Sequence, residues 1–142
     1  MSVPPPGDEQ LAPRNPNRRC VLVVDDDSDS LRATLRLLEL NGYTAHGASG
    51  FQEAIEVSAN TSCDILIADI ELPDGSGLEL MRRLGPSGVR GVSVSGHIDP
   101  VHQKASREAG FTAHFVKPVR FEELLAAVAR LASTSVEESH GR

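Results

Sequence analysis

Asp25 and Asp26 follow the apolar run Cys20 to Val24, Asp69 follows the run centred on Ile65 to Ala68, Ser95 follows Val89 to Val94, and Lys117 follows Ala113 to Val116. Three acids, an alcohol and an amine therefore close four apolar stretches that lie far apart in the chain. Taken singly, such an acid is usually a helix N-cap, a serine before glycine a turn residue, and a lysine a solvated surface group. Their recurrence at four strand ends points instead to one shared pocket. A pair of like charges about 4 Å apart costs on the order of 4 kcal/mol at an effective dielectric of 20, so three gathered carboxylates call for a cation. Hard carboxylate oxygens suit Mg2+, which takes one or two of them, keeps several waters and shares its remaining positions with phosphate. A pocket of this kind is built to receive a phosphoryl group.

The elements that must deliver these residues alternate strictly. Strands are predicted at Cys20 to Val24, Tyr43 to His46, Asp64 to Ala68, Val89 to Val94 and Ala113 to Val116. Between them lie helical periods, the first with Leu31, Leu35 and Leu38 at i, i+4 and i+7, and the last with Phe121, Leu124, Leu125, Val128 and Leu131 on one stripe. Asn41-Gly42 stops the first helix. Ser49 with Gln52 and Ser76 with Glu79 give capping-box starts to the second and third, Gly85-Pro86 ends the third, and Asp99-Pro100 and Gly110 bound the fourth. Such alternation implies right-handed crossovers and a parallel sheet buried on both faces, which explains why VLVV and ILIA are continuously apolar. The predicted fold is α/β, a five-stranded parallel sheet, doubly wound as (βα)5 with the flavodoxin-like order 2-1-3-4-5. In that class ligands sit beyond the carboxyl ends of the strands, where the chemistry-bearing residues stand.

The chain has 142 residues, with 20 acidic against 14 basic side chains and a net charge of −6. That length fits one domain, and that balance argues against nucleic-acid and anionic-membrane partners, which require basic patches. Residues 1–17, rich in proline, read as a disordered tail, 18–132 as the domain, and 133–142 as a flexible C-terminal tail. No apolar run approaches the roughly 20 residues of a membrane span, and the N-terminus lacks the features of a signal peptide, so a cytoplasmic protein is expected. Cys20 and Cys63 lack CxxC spacing and read as two reduced, buried thiols, with a disulfide framework excluded. The initial Met and the tail before the domain lead to the expectation of a complete small protein.

The motifs VLVVDDD at 21–27, DIELPDGSG at 69–77, VSVSG at 92–96 and AGFTAHFVKPV at 109–119 resemble the receiver domain of two-component response regulators. The resemblance implies that Asp69 accepts a phosphoryl group from a phosphohistidine, on a histidine kinase or a histidine phosphotransfer protein, and becomes an acyl phosphate. It implies that Asp26 binds Mg2+ directly, Asp25 mainly through water, and that Asp69 and the backbone carbonyl of Glu71 complete the protein ligands. Lys117 would pair with one phosphoryl oxygen and Ser95 would donate its hydroxyl to another. This arrangement supplies the positioning and charge neutralisation that phosphoryl transfer demands.

The family also implies a switch coupling Ser95 to position 114 and the adjacent Phe115, altering the surface of the fourth helix, fifth strand and fifth helix. Position 114 holds His where many receivers place Tyr or Phe. Gly110, Phe111 and His114 instead follow the G-F-x-x-H variant of receivers attached to hybrid sensor kinases, and both a packing role and a pH-sensitive role remain open for that imidazole. Glu71 and His97 occupy positions that, in the family, flank the path of the hydrolytic water and modulate rate. Lys117-Pro118 resembles a dipeptide that is cis in the family. The stretch from Asp69 to Ser95 is about one helical turn short, which shortens the third helix or its loop.

The implied output is through an unknown downstream protein, with the chain a monomer or a phosphorylation-dependent dimer and not an enzyme beyond its own phosphorylation and dephosphorylation. A haloacid-dehalogenase-like phosphatase is the enzyme alternative, since Asp25-x-Asp27 mimics its acid pair, but the second aspartate and a cap insertion are missing. A phosphate sink or non-switching interaction module is a further alternative. A flavin phosphate would be repelled by DDDSDS, and zinc catalysis lacks an HExxH motif.

Overall fold

Runs of branched apolar residues at Cys20–Val24, Ile65–Asp69 and Arg90–Ser95 form the three central strands of the sheet, each buried along nearly its whole length. In the computed structural model, which describes residues 19–96 and 99–141, these are β1, β3 and β4. Thr44–Ala48 (β2) and Ala113–Val116 (β5) are the edges, and all pairings are parallel in the order β2-β1-β3-β4-β5. The crossovers carry α1 (Ser28–Leu40), α2 (Phe51–Ala59), α3 (Gly77–Leu84) and α4 (Pro100–Ala109), and α5 (Phe121–Gly141) follows β5.

Strand alternation divides the core into two apolar layers. Val21, Val23, Ile65, Ile67, Val92 and Val94 face Leu38 of α1 and Leu124, Val128 and Leu131 of α5. Leu22, Val24, Leu66 and Ala68 face Ala54, Leu80, Met81, Ala109 and Phe111 across the other side. Each fully buried aliphatic side chain contributes on the order of 1.5–3 kcal/mol, so both layers lock the register of the three central strands.

That register sets the reach of the functional residues. Pairing continues one step further than the apolar runs indicate, with Asp69 opposite Val94 and Ser95 opposite Val116. Asp69 and Ser95 are therefore the last residues of β3 and β4, and β2 likewise extends through Ala48.

Helix starts differ in one instructive way from expectation. Asp27, Ser76 and Asp99 cap α1, α3 and α4 with their side chains, but the residue capping α2 is Gly50, which offers none. The expected Ser49–Gln52 capping box is replaced by Ser49 donating to Glu53 Oε1 and by a long-range cap. Asp74 accepts from Phe51 N at 2.6 Å and from Gln52 N at 3.0 Å. Asp74 reaches there because Glu71–Leu72 and Gly75–Ser76 form a two-residue antiparallel hairpin after β3 that no periodicity announces. At the third helix, Ser76 caps Leu78 N while Glu79 pairs with Arg82 and Arg83 instead of reaching back.

The cysteine expectation is corrected. Cys20 and Cys63, 43 residues apart, are joined as a disulfide with their Cα atoms 4.4 Å apart. Spacing rules treat the chain as a line, whereas the β1–β3 ladder places the first residue of one strand beside the residues that lead into the other. α3 spans only Gly77–Leu84 before a single 3-10 turn, in keeping with the short stretch between Asp69 and Ser95. The apolar stripe of α5 ends near Leu131, yet its helical backbone continues to Gly141 through the segment read as a tail. The tail at 1–17 lies outside the described residues.

Candidate functional site

The β1–α1 turn places two acids by capping geometry. Asp25 N donates to Ala48 O, continuing the β1–β2 ladder, and Asp25 Oδ1 accepts from Asp27 N at 2.9 Å, which fixes that carboxylate. Asp27 is committed to α1, accepting from Asp29 N and Ser30 Oγ. Asp26 is exposed, while Asp25 and Asp69 are only 8% and 6% exposed. One carboxylate oxygen from each of these three acids lies within 4.8 Å of the others.

Lys117 is brought in from the far edge of the sheet. Its backbone N donates to Ser95 O at 2.8 Å, and the Lys117-Pro118 bond is cis. Its Nζ donates to Asp69 Oδ2 at 3.0 Å and stands 3.5 Å from Asp25 Oδ1. One ammonium against three carboxylates leaves the pocket short of positive charge.

The titration of the buried pair expresses this deficit. Burial is the largest influence on Asp69 and raises its pKa; the Lys117 hydrogen bond opposes it, the charge of Asp25 adds to it, and the result is about 7. Burial alone lowers the Lys117 ammonium, but the hydrogen bond and charge of Asp69, then Asp25, outweigh it and leave its pKa raised. A carboxyl raised this far in a pocket of hard oxygens fits a divalent cation, which would remove the repulsion.

A cavity of about 340 Å³ opens over these groups, lined among others by Asp26, Asp69, Glu71, Ser95, Gly96 and Lys117. At about 30 Å³ per water, that is space for roughly ten waters, enough for a hydrated ion and a phosphoryl group together. The structure thus gathers Asp25, Asp26, Asp69, Glu71, Ser95 and Lys117 in one place. His97 lies outside the described residues.

His114 and Phe115 part company. His114 lies opposite Ser93 in the β4–β5 register, and its Nδ1 is 2.7 Å from Ser93 Oγ, which is in turn 2.6 Å from Ser106 Oγ of α4. Its Nε2 is buried and meets no hydrogen-bond partner among the described residues. Phe115 packs on the opposite layer with the Val94 and Leu124 cluster. Position 114 is therefore joined to α4 by a hydrogen-bonded chain through Ser93, two residues before Ser95 on the same strand.

Sequence reasoning missed two supports of the site. Gly77, first residue of α3, donates its N–H to Ile70 O at 2.8 Å and packs so closely on Asp69 that a Cβ would overlap the Asp69 carbonyl oxygen. The GSG that closes the motif at 69–77 was the available signal, since glycine permits such close backbone approach. Ser93 and Ser106 were hidden because polar residues within an apolar strand and helix become informative only as a pair.

Residues 21–129 match the family model of the response regulator receiver domain. Response regulator MprA of Mycobacterium ulcerans is 36% identical over 121 residues, covering 83% of this chain and 52% of that protein. The response regulator protein TmoT of Ectopseudomonas mendocina is 32% identical over 117 residues, 80% and 53% of the respective chains. The chain thus spans about half the length of these curated relatives. Among solved structures, a receiver domain protein (CheY-like) from Methanospirillum hungatei JF-1 superposes with a TM-score of 0.79 at 29% identity, over 87% of this chain and 98% of that one. A response regulator protein from Burkholderia pseudomallei, crystallised with a phosphorylated aspartic acid, a calcium ion and citrate, gives 0.73 at 25% identity, over 86% and 73%.

Proposed function

The chain belongs to the response regulator receiver domain family, and from that premise we propose that Asp69 accepts a phosphoryl group from a phosphohistidine and thereby switches a protein-binding surface. The observation that carries this reading is Lys117 Nζ at 3.0 Å from a buried Asp69 whose carboxyl is raised to about 7 among two further acids. The Asp69 carboxylate oxygen forms a new P–O bond while the P–N bond of the donor breaks, leaving the donor imidazole to take a proton. Lys117 neutralises one phosphoryl oxygen and Ser95 donates its hydroxyl to another, both placed by the paired ends of β4 and β5.

The carboxylates of Asp25, Asp26 and Asp69, with the backbone carbonyl of Glu71, would hold Mg2+. When bound, the ion supplies charge neutralisation for the phosphoryl oxygens. The phosphorylated aspartic acid and calcium ion of the Burkholderia pseudomallei protein support the same assignment of chemistry. Glu71 lines the cavity beside Asp69 and is a rate-modulating residue in this reading.

The donor is a histidine kinase or histidine phosphotransfer protein, and the output is a protein contact on the face of α4, β5 and α5. The chain catalyses only its own phosphorylation and dephosphorylation. It works in the cytoplasm as a monomer or a phosphorylation-dependent dimer; no helix among the described residues is long and apolar enough to cross a membrane. Incubation with Mg2+ and acetyl phosphate should add one hydroxylamine-sensitive phosphoryl group per chain, detected by intact mass. Asp69→Asn should take none, and Asp26→Ala or chelation should reduce uptake at least tenfold. Undiminished labelling of Asp69→Asn would overturn the acceptor assignment.

A further inference from the structure

At the end of the sheet opposite Asp69, three side chains with soft or borderline ligand atoms converge. Cys20 opens β1, His46 stands within β2, and Cys63 lies just before β3. One ligand atom from each lies within 4.8 Å of the other two. The parallel pairing of β1 with both neighbours makes this convergence: Cys20 is opposite Thr44, Leu22 is opposite His46, and Val21 is opposite Ile65.

The scaffold around them is fixed. Asp64 N donates to Cys20 O at 3.0 Å, Cys20 N donates to Asp64 Oδ1 at 3.3 Å, and the same carboxylate pairs with Arg19 at 3.2 Å. Thr61 Oγ1 lies 3.6 Å from Cys63 Sγ, an outer contact on the sulfur itself. Nothing in the acidic pocket uses these groups: β3 alone, Ile65 to Asp69 at about 3.3 Å per residue, puts roughly 13 Å between its two ends, with Cys63 before the first and Asp69 at the last.

We propose that, with the Cys20–Cys63 disulfide reduced, Cys20, His46 and Cys63 bind one Zn2+ as a Cys2His site whose fourth position is open to water. Reduction needs two electrons and two protons, supplied by two equivalents of a cellular thiol: the S–S bond opens to two thiols and the two reductant molecules are joined as a disulfide. On binding, both thiols release their protons to solvent and His46 ligates as the neutral imidazole. Two thiolates and an imidazole select a four-coordinate borderline-soft ion over Mg2+. Metal–ligand bonds of about 2.0–2.3 Å set tetrahedral ligand atoms roughly 3.5–3.8 Å apart, which the observed cluster accommodates once the sulfurs separate. The bound ion would tie the edge strand β2 to β1 and to the α2–β3 connection. The disulfide and the metal are mutually exclusive occupants of the same two sulfurs.

The test uses the full chain, reduced with a phosphine that is then removed without air, and titrated with Co2+ followed by Zn2+. One Co2+ per chain should bring thiolate-to-cobalt charge transfer in the near-ultraviolet and the strong visible absorption of four-coordinate cobalt. Stoichiometric Zn2+ should bleach both, and excess Mg2+ should not. The disulfide form should give no such spectrum, Cys63→Ser should lose the charge transfer, and His46→Gln should weaken binding at least about tenfold. If Cys63→Ser fails to fold, His46→Gln, on an edge strand, decides alone. Absence of charge transfer in the reduced chain, its persistence in Cys63→Ser, or undiminished affinity in His46→Gln would each overturn the site.

Discussion

Asp69 is a carboxyl that the fold prefers to keep protonated, because burial and Asp25 together outweigh the help of Lys117. Its pKa rises from 3.8 to about 7 on folding, so below about pH 4 it is protonated in both states and contributes no pH dependence. As pH rises from 4 towards 7 the unfolded chain releases this proton and the folded chain does not, so stability falls across that window and levels off above it. Every tenfold gain in proton affinity is worth about 1.4 kcal/mol, so the ionised Asp69 costs the fold on the order of a few kcal/mol in metal-free solution. Asp69→Asn should therefore melt above wild type at pH 8, with the gap closing near pH 4.5, in thermal unfolding followed by circular dichroism. Lys117 keeps a partner in that variant, since Asp25 Oδ1 stands 3.5 Å from Nζ. A gap that widens on acidification would refute the burial account.

Among the elements, α3 is seated against Asp69 and α2 is capped from the hairpin that follows β3. Gly77→Ala should push its new methyl into the Asp69 carbonyl oxygen, with a cost of about 1–3 kcal/mol by overpacking and a matching loss of phosphoryl uptake. Denaturant unfolding and mass labelling of one preparation would check both. These contacts were not legible in the sequence, and the reason is physical. Local signals named Ser76 and Asp99 correctly because a cap and its helix are neighbours in the chain, whereas the Asp27 cap of α1 was not named although the helix start at Ser28 was. They missed Asp74 because its target amides are more than twenty residues away. For the same reason the strand interiors VLVV and ILIA were readable, while the final pairings of Asp69 and Ser95 depended on partner strands.

For the molecule as a whole, the doubly wound parallel sheet followed from alternation, the order 2-1-3-4-5 expected for it is the observed one, and the residue types at strand ends placed the pocket at its carboxyl edge. The cysteine pairing did not, because it is a property of strand register and not of spacing. Register also decides how a signal could travel: Ser95 sits at the pocket, while His114 reaches α4 through Ser93 and Ser106. Beryllofluoride with Mg2+ should shift the amide resonances of residues around Asp69 and Ser95, and, if phosphate works a switch, also those of Ser93, Ser106 and His114. Ser93→Ala should confine the changes to the pocket. Shifts at α4 that survive Ser93→Ala would show that the serine pair is not the relay. The Asp74 cap adds a consequence of its own. The hairpin that carries Glu71 past Asp69 is latched at its tip to the foot of α2, so unwinding the first turn of that helix would free the rim of the acidic pocket. Fraying of the helix would thus loosen the pocket, and under the proposed function a partner gripping the outside of α2 would adjust how long the acyl phosphate on Asp69 is shielded from water.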